Sequence, residues 1–185
     1  MLEAFLVSTG LVALAEIGDK TQLLCLVLAT RFRKPWPIVA GILVSTLVNH
    51  AAAGGLGAWI ARVVGLEVMT KVAGVSFLAM AFWSLIPDKL DEPGAKATQR
   101  GVFGSTVVLF FMAEMGDKTQ LATVALAARY PSLVAVVAGT TLGMMLANVP
   151  VVFFSGAIAS KLPLGVVRKV AAFAFAVLGV LALAA

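Results

Sequence analysis

The sequence predicts an all-α integral membrane protein, with six transmembrane helices arranged as two inverted-topology three-helix repeats. Three observations lead there. Of the 185 residues, 61% are hydrophobic and 12% charged, against roughly 25% charged in soluble domains, and the mean hydropathy is +1.04. Six apolar runs, at residues 4–28, 36–61, 68–87, 102–128, 132–159 and 165–184, reach the ~20 residues a helix needs to cross a bilayer. The chain also aligns with itself, without a gap, at an offset of 98 residues. Each unit holds three crossings, so the second must enter the membrane from the opposite side. The halves are then expected to be related by a pseudo-two-fold axis in the membrane plane, a plan common in secondary transporters.

The register of the repeat is set by several matches besides its most polar segment. Arg31 falls on Arg129, Val39-Ala40-Gly41 on Val137-Ala138-Gly139, Ile60-Ala61 on Ile158-Ala159, and Lys71-Val72-Ala73 on Lys169-Val170-Ala171. The first unit is expected at residues 1–87 and the second at 102–185. Between them, residues 88–101 include a polar stretch broken by Pro93-Gly94, which reads as a solvated linker.

The first span opens Met1-Leu2-Glu3-Ala4, without the basic start and cleavable end of a secretory signal, and is expected to remain in the mature protein. It holds EIGDKTQL at residues 16–23; the fourth span holds EMGDKTQL at 114–121. The second and fifth spans carry Gly41 with Ser45 and Gly139 with Gly143, a small-xxx-small spacing that lets helices approach closely and predicts tight packing inside each unit. Asn49 and His50 lie in the second span, and His50 aligns with Asn148 of the fifth. These three are expected as supporting polar residues of the site described below; an imidazole ligand would favour Mn²⁺ over Ca²⁺, but lone polar residues of this kind more often serve as interhelical hydrogen-bonding groups. Pro150 beside Asn148 is expected to mark a local helix break. Trp36, Trp59 and Trp83 lie near span ends, where indoles anchor at the interface.

The formal charge of +5 reports orientation and gives no sign of a nucleic-acid partner. On the side of the N-terminus lie Arg62, Lys71 and Arg129; on the other lie Arg31, Arg33, Lys34, Lys89, Lys96, Arg100, Lys161, Arg168 and Lys169. The positive-inside rule puts that second side, with the linker, in the cytoplasm and both termini outside a plasma membrane. Cys25 is the only cysteine, so an intrachain disulfide and an ordinary thiolate metal site are excluded.

The doubled motif carries the chemistry. Glu16, Asp19, Glu114 and Asp117 sit near the middle of their spans, where each ionised group costs about 2.5–3.5 kcal/mol on insertion scales. They must face inward and find partners. Residues three apart share a helix face, so each pair is expected to aim two carboxylates at one point, and the pseudo-two-fold axis would bring the pairs together. Thr21, Gln22, Thr119 and Gln120 would add neutral oxygens. Gly18 and Gly116 would let backbone approach an ion or a facing helix. Such an oxygen shell suits a hard divalent cation. Lys20 and Lys118, four residues after each Glu, are at the spacing of an intrahelical ion pair and are expected to neutralise part of the site when metal is absent.

The two ExGDKT motifs, Glu16-Ile17-Gly18-Asp19-Lys20-Thr21 and Glu114-Met115-Gly116-Asp117-Lys118-Thr119, resemble those of the Gdt-type cation/proton exchanger family of Golgi manganese and calcium transporters and bacterial manganese exporters. The resemblance covers nearly the whole chain. It implies export of Mn²⁺ or Ca²⁺ in exchange for protons by alternating access, with the motif acids as the cation site and no permanently bound cofactor. Two other readings compete. One is an exporter of another small cationic solute. The other is an intramembrane aspartyl protease, against which stand the adjacent lysines and the near-identity of the two motifs. The sequence does not fix an oligomeric state.

Overall fold

The structure, a computed structural model, describes residues 1–86, 101–154 and 164–184. Among these residues the chain forms α1 (Leu2–Glu16), α2 (Lys20–Phe32), α3 (Pro35–Val64), α4 (Leu66–Ser84), α5 (Gly101–Glu114), α6 (Lys118–Arg129), α7 (Leu133–Phe154) and α8 (Leu164–Ala184). Of the expected linker at 88–101, residues 88–100 lie outside the described residues, as do Lys161 and the repeat match at Ile158-Ala159.

The first and fourth apolar runs are not continuous helices, a correction to the expectation of six unbroken spans. Each is interrupted at its motif. Gly18 has φ +84° and Gly116 φ +75°, left-handed backbone that glycine adopts without a Cβ penalty. Asp19 and Asp117 then take extended backbone as the N-caps of α2 and α6, the role short acidic side chains favour. A helix stop and a helix start are written side by side. Among the described residues three helices are long and apolar enough to cross a membrane by themselves: α3, α7 and residues 165–184 of α8. α4, unbroken but carrying Glu67 and Lys71, is not one of them, a second departure from the six expected spans. The fifth apolar run departs from expectation in the other direction. α7 continues through Pro150, although an interior proline costs about 3 kcal/mol; Val151 and Val152, just beyond it, are buried and hold the last turn against the bundle.

The result is an all-α, multi-pass bundle in which some helix contacts reciprocate between the halves, whereas others, such as α4 on α6, have no matching counterpart among the described residues. α1 and α2 pack on α7, while their repeat counterparts α5 and α6 pack on α3; α4 packs on its own counterpart α8. Phe77 and Phe175, equivalent under the 98-residue offset, stack with ring centroids 6.3 Å apart. The small residues serve this exchange and not packing within a unit, which corrects the sequence expectation. A Cβ on Gly41 would lie 2.7 Å from Cβ of Thr106 in α5; on Gly139, 2.5 Å from the Phe5 carbonyl oxygen of α1; on Gly143, 2.6 Å from that of Thr9. Between membrane helices such close packing, and not exclusion of water, drives association. Both apolar cores draw on both halves: one joins α1, α4, α6, α7 and α8, the other α1, α2, α3, α5 and α7. Trp36 and Trp59 are exposed toward the two ends of α3, and Trp36 meets Phe153 edge-on at 5.3 Å.

Candidate metal centre

The helix breaks decide how the acidic residues meet. Glu16 ends α1 and Asp19 caps α2, so they do not share the face of one helix, as three-residue spacing suggested. The turn joins them instead: the Asp19 N–H donates to the Glu16 carbonyl at 3.0 Å, and the Asp117 N–H to the Glu114 carbonyl at 3.1 Å. Glu16, Asp19 and Asp117 are all buried, and one carboxylate oxygen from each lies within 4.8 Å of the others. Ligands at the 2.0–2.6 Å typical of Mg²⁺ and Ca²⁺ span about that distance across one ion, so this triad can converge on a hard divalent cation with small movements. Glu114 is also buried but stands outside the triad. Its Oε2 accepts from Thr119 Oγ1 at 3.3 Å and lies 4.0 Å from His50 Nε2.

The lysines cross between the halves. Lys20 Nζ is 3.0 Å from Asp117 Oδ1 and Lys118 Nζ is 3.2 Å from Asp19 Oδ1, a reciprocal pair under the 98-residue offset. The expected intrahelical pairs with Glu16 and Glu114 do not form, because the break places glutamate and lysine on different helices. Asp19 and Asp117 therefore belong both to the acidic cluster and to the ion pairs that close it.

Threonine and glutamine support this geometry. Thr21 Oγ1 donates to Glu16 Oε2 at 2.5 Å, and Thr119 Oγ1 lies 3.3 Å from Asp117 Oδ2 as well as from Glu114. The Gln22 and Gln120 carbonyl oxygens accept from Gly18 N–H at 3.0 Å and Gly116 N–H at 2.8 Å. Their amide nitrogens reach the opposite long helix: Gln22 donates to the Ala147 carbonyl at 3.1 Å and Gln120 to Asn49 Oδ1. The glutamines thus brace each break against the other half, which differs from their expected place in an oxygen shell.

Gly116, too, is required for a reason other than close approach. No atom outside its own neighbourhood lies within 4 Å of a Cβ placed on Gly116; its positive φ is what excludes a side chain. Gly116→Ala is accordingly expected to destabilise by about 1–2 kcal/mol, the left-handed penalty of an L-residue, with Gly116→Asn losing less. Thermal melting of the purified variants in detergent checks the order.

Polar residues on the long helices differ between halves. Asn148 is engaged, its Nδ2 donating to the Met144 carbonyl at 3.1 Å and its Oδ1 lying 3.4 Å from Cys25 Sγ. Buried His50 has no hydrogen-bond partner on either ring nitrogen among the described residues, against its expected part in interhelical bonding. Sequence reasoning passed over Ser45 Oγ and Thr46 Oγ1, buried on the same helix and likewise without a hydrogen-bond partner among the described residues. Comparison with their offset counterparts, Gly143 and Met144, is the signal that would have found them.

This arrangement, a buried acidic cluster at paired helix breaks, is what a cation carrier needs. The family model for the divalent cation/proton antiporter GDT1 matches residues 4–92 and 102–185, which takes in both motifs. The chain belongs to the GDT1 family. A Vibrio cholerae protein named "Putative manganese exporter" is 52% identical over 176 residues, spanning 95% of this chain and 88% of that protein. GDT1-like protein 4 of Oryza sativa subsp. indica is 26% identical across 95% of this chain and 71% of its own length. GDT1-like protein sll0615 of Synechocystis is 28% identical across 69% of this chain and 71% of its own. No solved structure matches the chain. As a GDT1 protein it is a membrane-embedded secondary transporter of a divalent cation, and the protease reading falls away.

Proposed function

We propose that this GDT1 protein exports Mn²⁺ in exchange for protons, with Glu16, Asp19 and Asp117 as its central cation ligands and Glu114 beside them. The observation that carries the reading is the convergence of buried carboxylates from both halves on one small region. The name of the Vibrio cholerae relative supports Mn²⁺ as cargo; Ca²⁺, which also accepts oxygen ligands, is the second candidate. The reciprocal contacts favour two inverted three-helix units, residues 1–87 and 102–185, each with one broken span. Both termini would then face outward and residues 88–101 the cytoplasm of a plasma membrane.

Charge balance supports the coupling. Four carboxylates against two lysines leave the motifs with a formal charge of −2. One divalent cation or two protons cancels it equally, so a cycle that trades one for the other carries a nearly neutral centre through the membrane in both directions. Outward movement of a divalent ion alone against 100 mV, inside negative, would cost about 4.6 kcal/mol. Two returning protons remove that cost. Cytoplasmic metal displaces the lysines from Asp19 and Asp117, the halves rock, and protons arriving from outside compete for the same oxygens.

Purified protein in liposomes tests this. An imposed pH gradient, acidic inside, should drive Mn²⁺ into the vesicles at a rate unchanged when the potential is clamped, with matching alkalinisation of the lumen. Mn²⁺ flux indifferent to the pH gradient would rule out proton coupling, and faster Ca²⁺ than Mn²⁺ uptake would reassign the cargo.

A further inference from the structure

We propose that His50 and Glu114 form a second cation position beside the carboxylate triad, holding a first-row transition ion of the Mn²⁺ type through one imidazole nitrogen and one carboxylate oxygen. The inference rests on the cation-export reading and deepens it, because it gives one half of the molecule a nitrogen ligand that the other half lacks.

Four observations meet at this pair. His50 is 0% exposed, yet neither ring nitrogen has a hydrogen-bond partner among the described residues. A buried polar group left so costs about 1–3 kcal/mol, and an imidazole serving to glue helices together would show its partner. Glu114 Oε1 is buried and likewise without a hydrogen-bond partner among the described residues. The separation of 4.0 Å between His50 Nε2 and Glu114 Oε2 is too long for a hydrogen bond, but it fits two ligands each about 2.0–2.2 Å from one ion. Finally, Thr119 Oγ1 stands 3.3 Å from both Glu114 Oε2 and Asp117 Oδ2, so the pair adjoins the triad through one hydroxyl.

The repeat itself argues that this is a built asymmetry. Ser45, Thr46, Asn49 and His50 on α3 correspond to Gly143, Met144, Ala147 and Asn148 on α7. The α7 residues are apolar or, for Asn148, already bonded. On α3, residues 45, 46, 49 and 50 share one helical face, and each has a buried polar atom without a hydrogen-bond partner among the described residues. At these offset positions α3 therefore offers four polar side chains, a polar wall that α7 matches only at Asn148. Imidazole nitrogen is a ligand for transition ions, whereas Ca²⁺ and Mg²⁺ take oxygen; this wall is where the carrier would favour the former.

Pulsed electron paramagnetic resonance of Mn²⁺ bound to the full-length protein tests the proposal without relying on transport. The wild type should show coupling of the Mn²⁺ electron spin to the ¹⁴N of one imidazole. His50→Asn, which installs the residue of the other half, and His50→Gln should both keep Mn²⁺ bound but lose the coupling, and the ratio of Ca²⁺ to Mn²⁺ dissociation constants should fall several-fold. Glu114→Gln should weaken the coupling with His50 still present. Mn²⁺ held by the wild type with no nitrogen coupling, or coupling that survives in His50→Asn, would overturn this inference while leaving the export reading standing. Failure of the wild type to hold Mn²⁺ at all would overturn both.

Discussion

Asp19→Asn together with Asp117→Asn should abolish Mn²⁺ transport and lower Mn²⁺ affinity by roughly three orders of magnitude or more. At an effective dielectric of about 20, two unit charges 4 Å apart interact by about 4 kcal/mol, nearly a factor of a thousand in an equilibrium constant. Each aspartate supplies such a charge to the triad. Removing both leaves Glu16 and Glu114 facing Lys20 and Lys118, so the formal charge of the motifs rises from −2 to zero, and a divalent ion gains nothing by entering. Asparagine nearly matches aspartate in shape and remains a good N-cap, so α2 and α6 should still start where they do. Calorimetric titration of the purified variant with Mn²⁺, beside its uptake in liposomes, reads the effect. Affinity within tenfold of wild type would mean the ion binds elsewhere.

The two halves of this centre were legible in the sequence to different depths. The correspondence of positions 98 residues apart and the burial of the motif acids could be read, because a charge in the middle of an apolar run is costly wherever it lies and a gapless repeat fixes which positions correspond. The breaks were hidden by the hydrophobic runs that continue on either side of them. Yet Gly18-Asp19 and Gly116-Asp117 are a left-handed residue followed by an N-cap, the ordinary signature of a helix end meeting a helix start. Missing that turn produced the errors at the acids and lysines: it makes the intrahelical Glu–Lys pairs geometrically unavailable and leaves each lysine to the opposite aspartate. Partners across the halves, such as Gln22 with Ala147 or Gly139 with Phe5, depend on how the units interleave, which no local spacing encodes. The asymmetry at His50 lay in plain view under the offset, but that its ring nitrogens lack a hydrogen-bond partner among the described residues could be seen only in the structure.

Lys118→Met should destabilise the metal-free protein by about 3–5 kcal/mol, the usual result of deleting one member of a buried ion pair, and saturating Mn²⁺ should restore most of the loss. Lys118 is 5% exposed along its side chain and its partner Asp19 0%, so the aspartate left behind has little water to turn to. Binding to the folded state stabilises by about 4.1 kcal/mol when the free ligand is a thousand times its Kd, the same size as the lesion. Under the proposed mechanism the entering ion must first displace Lys118 in the wild type, whereas in the variant it meets Asp19 with that lysine already gone. Mn²⁺ should therefore raise the melting temperature of the variant by more than it raises that of the wild type. Transport should nevertheless slow, because the return stroke is made without metal and then lacks the cation that covers Asp19. Lys20, whose side chain is 25% exposed, is better solvated, and Lys20→Met should show the same pattern at smaller amplitude. Metal-free melting equal to wild type, with an equal shift on adding Mn²⁺, would show that the crossed pairs do not stand in for the ion.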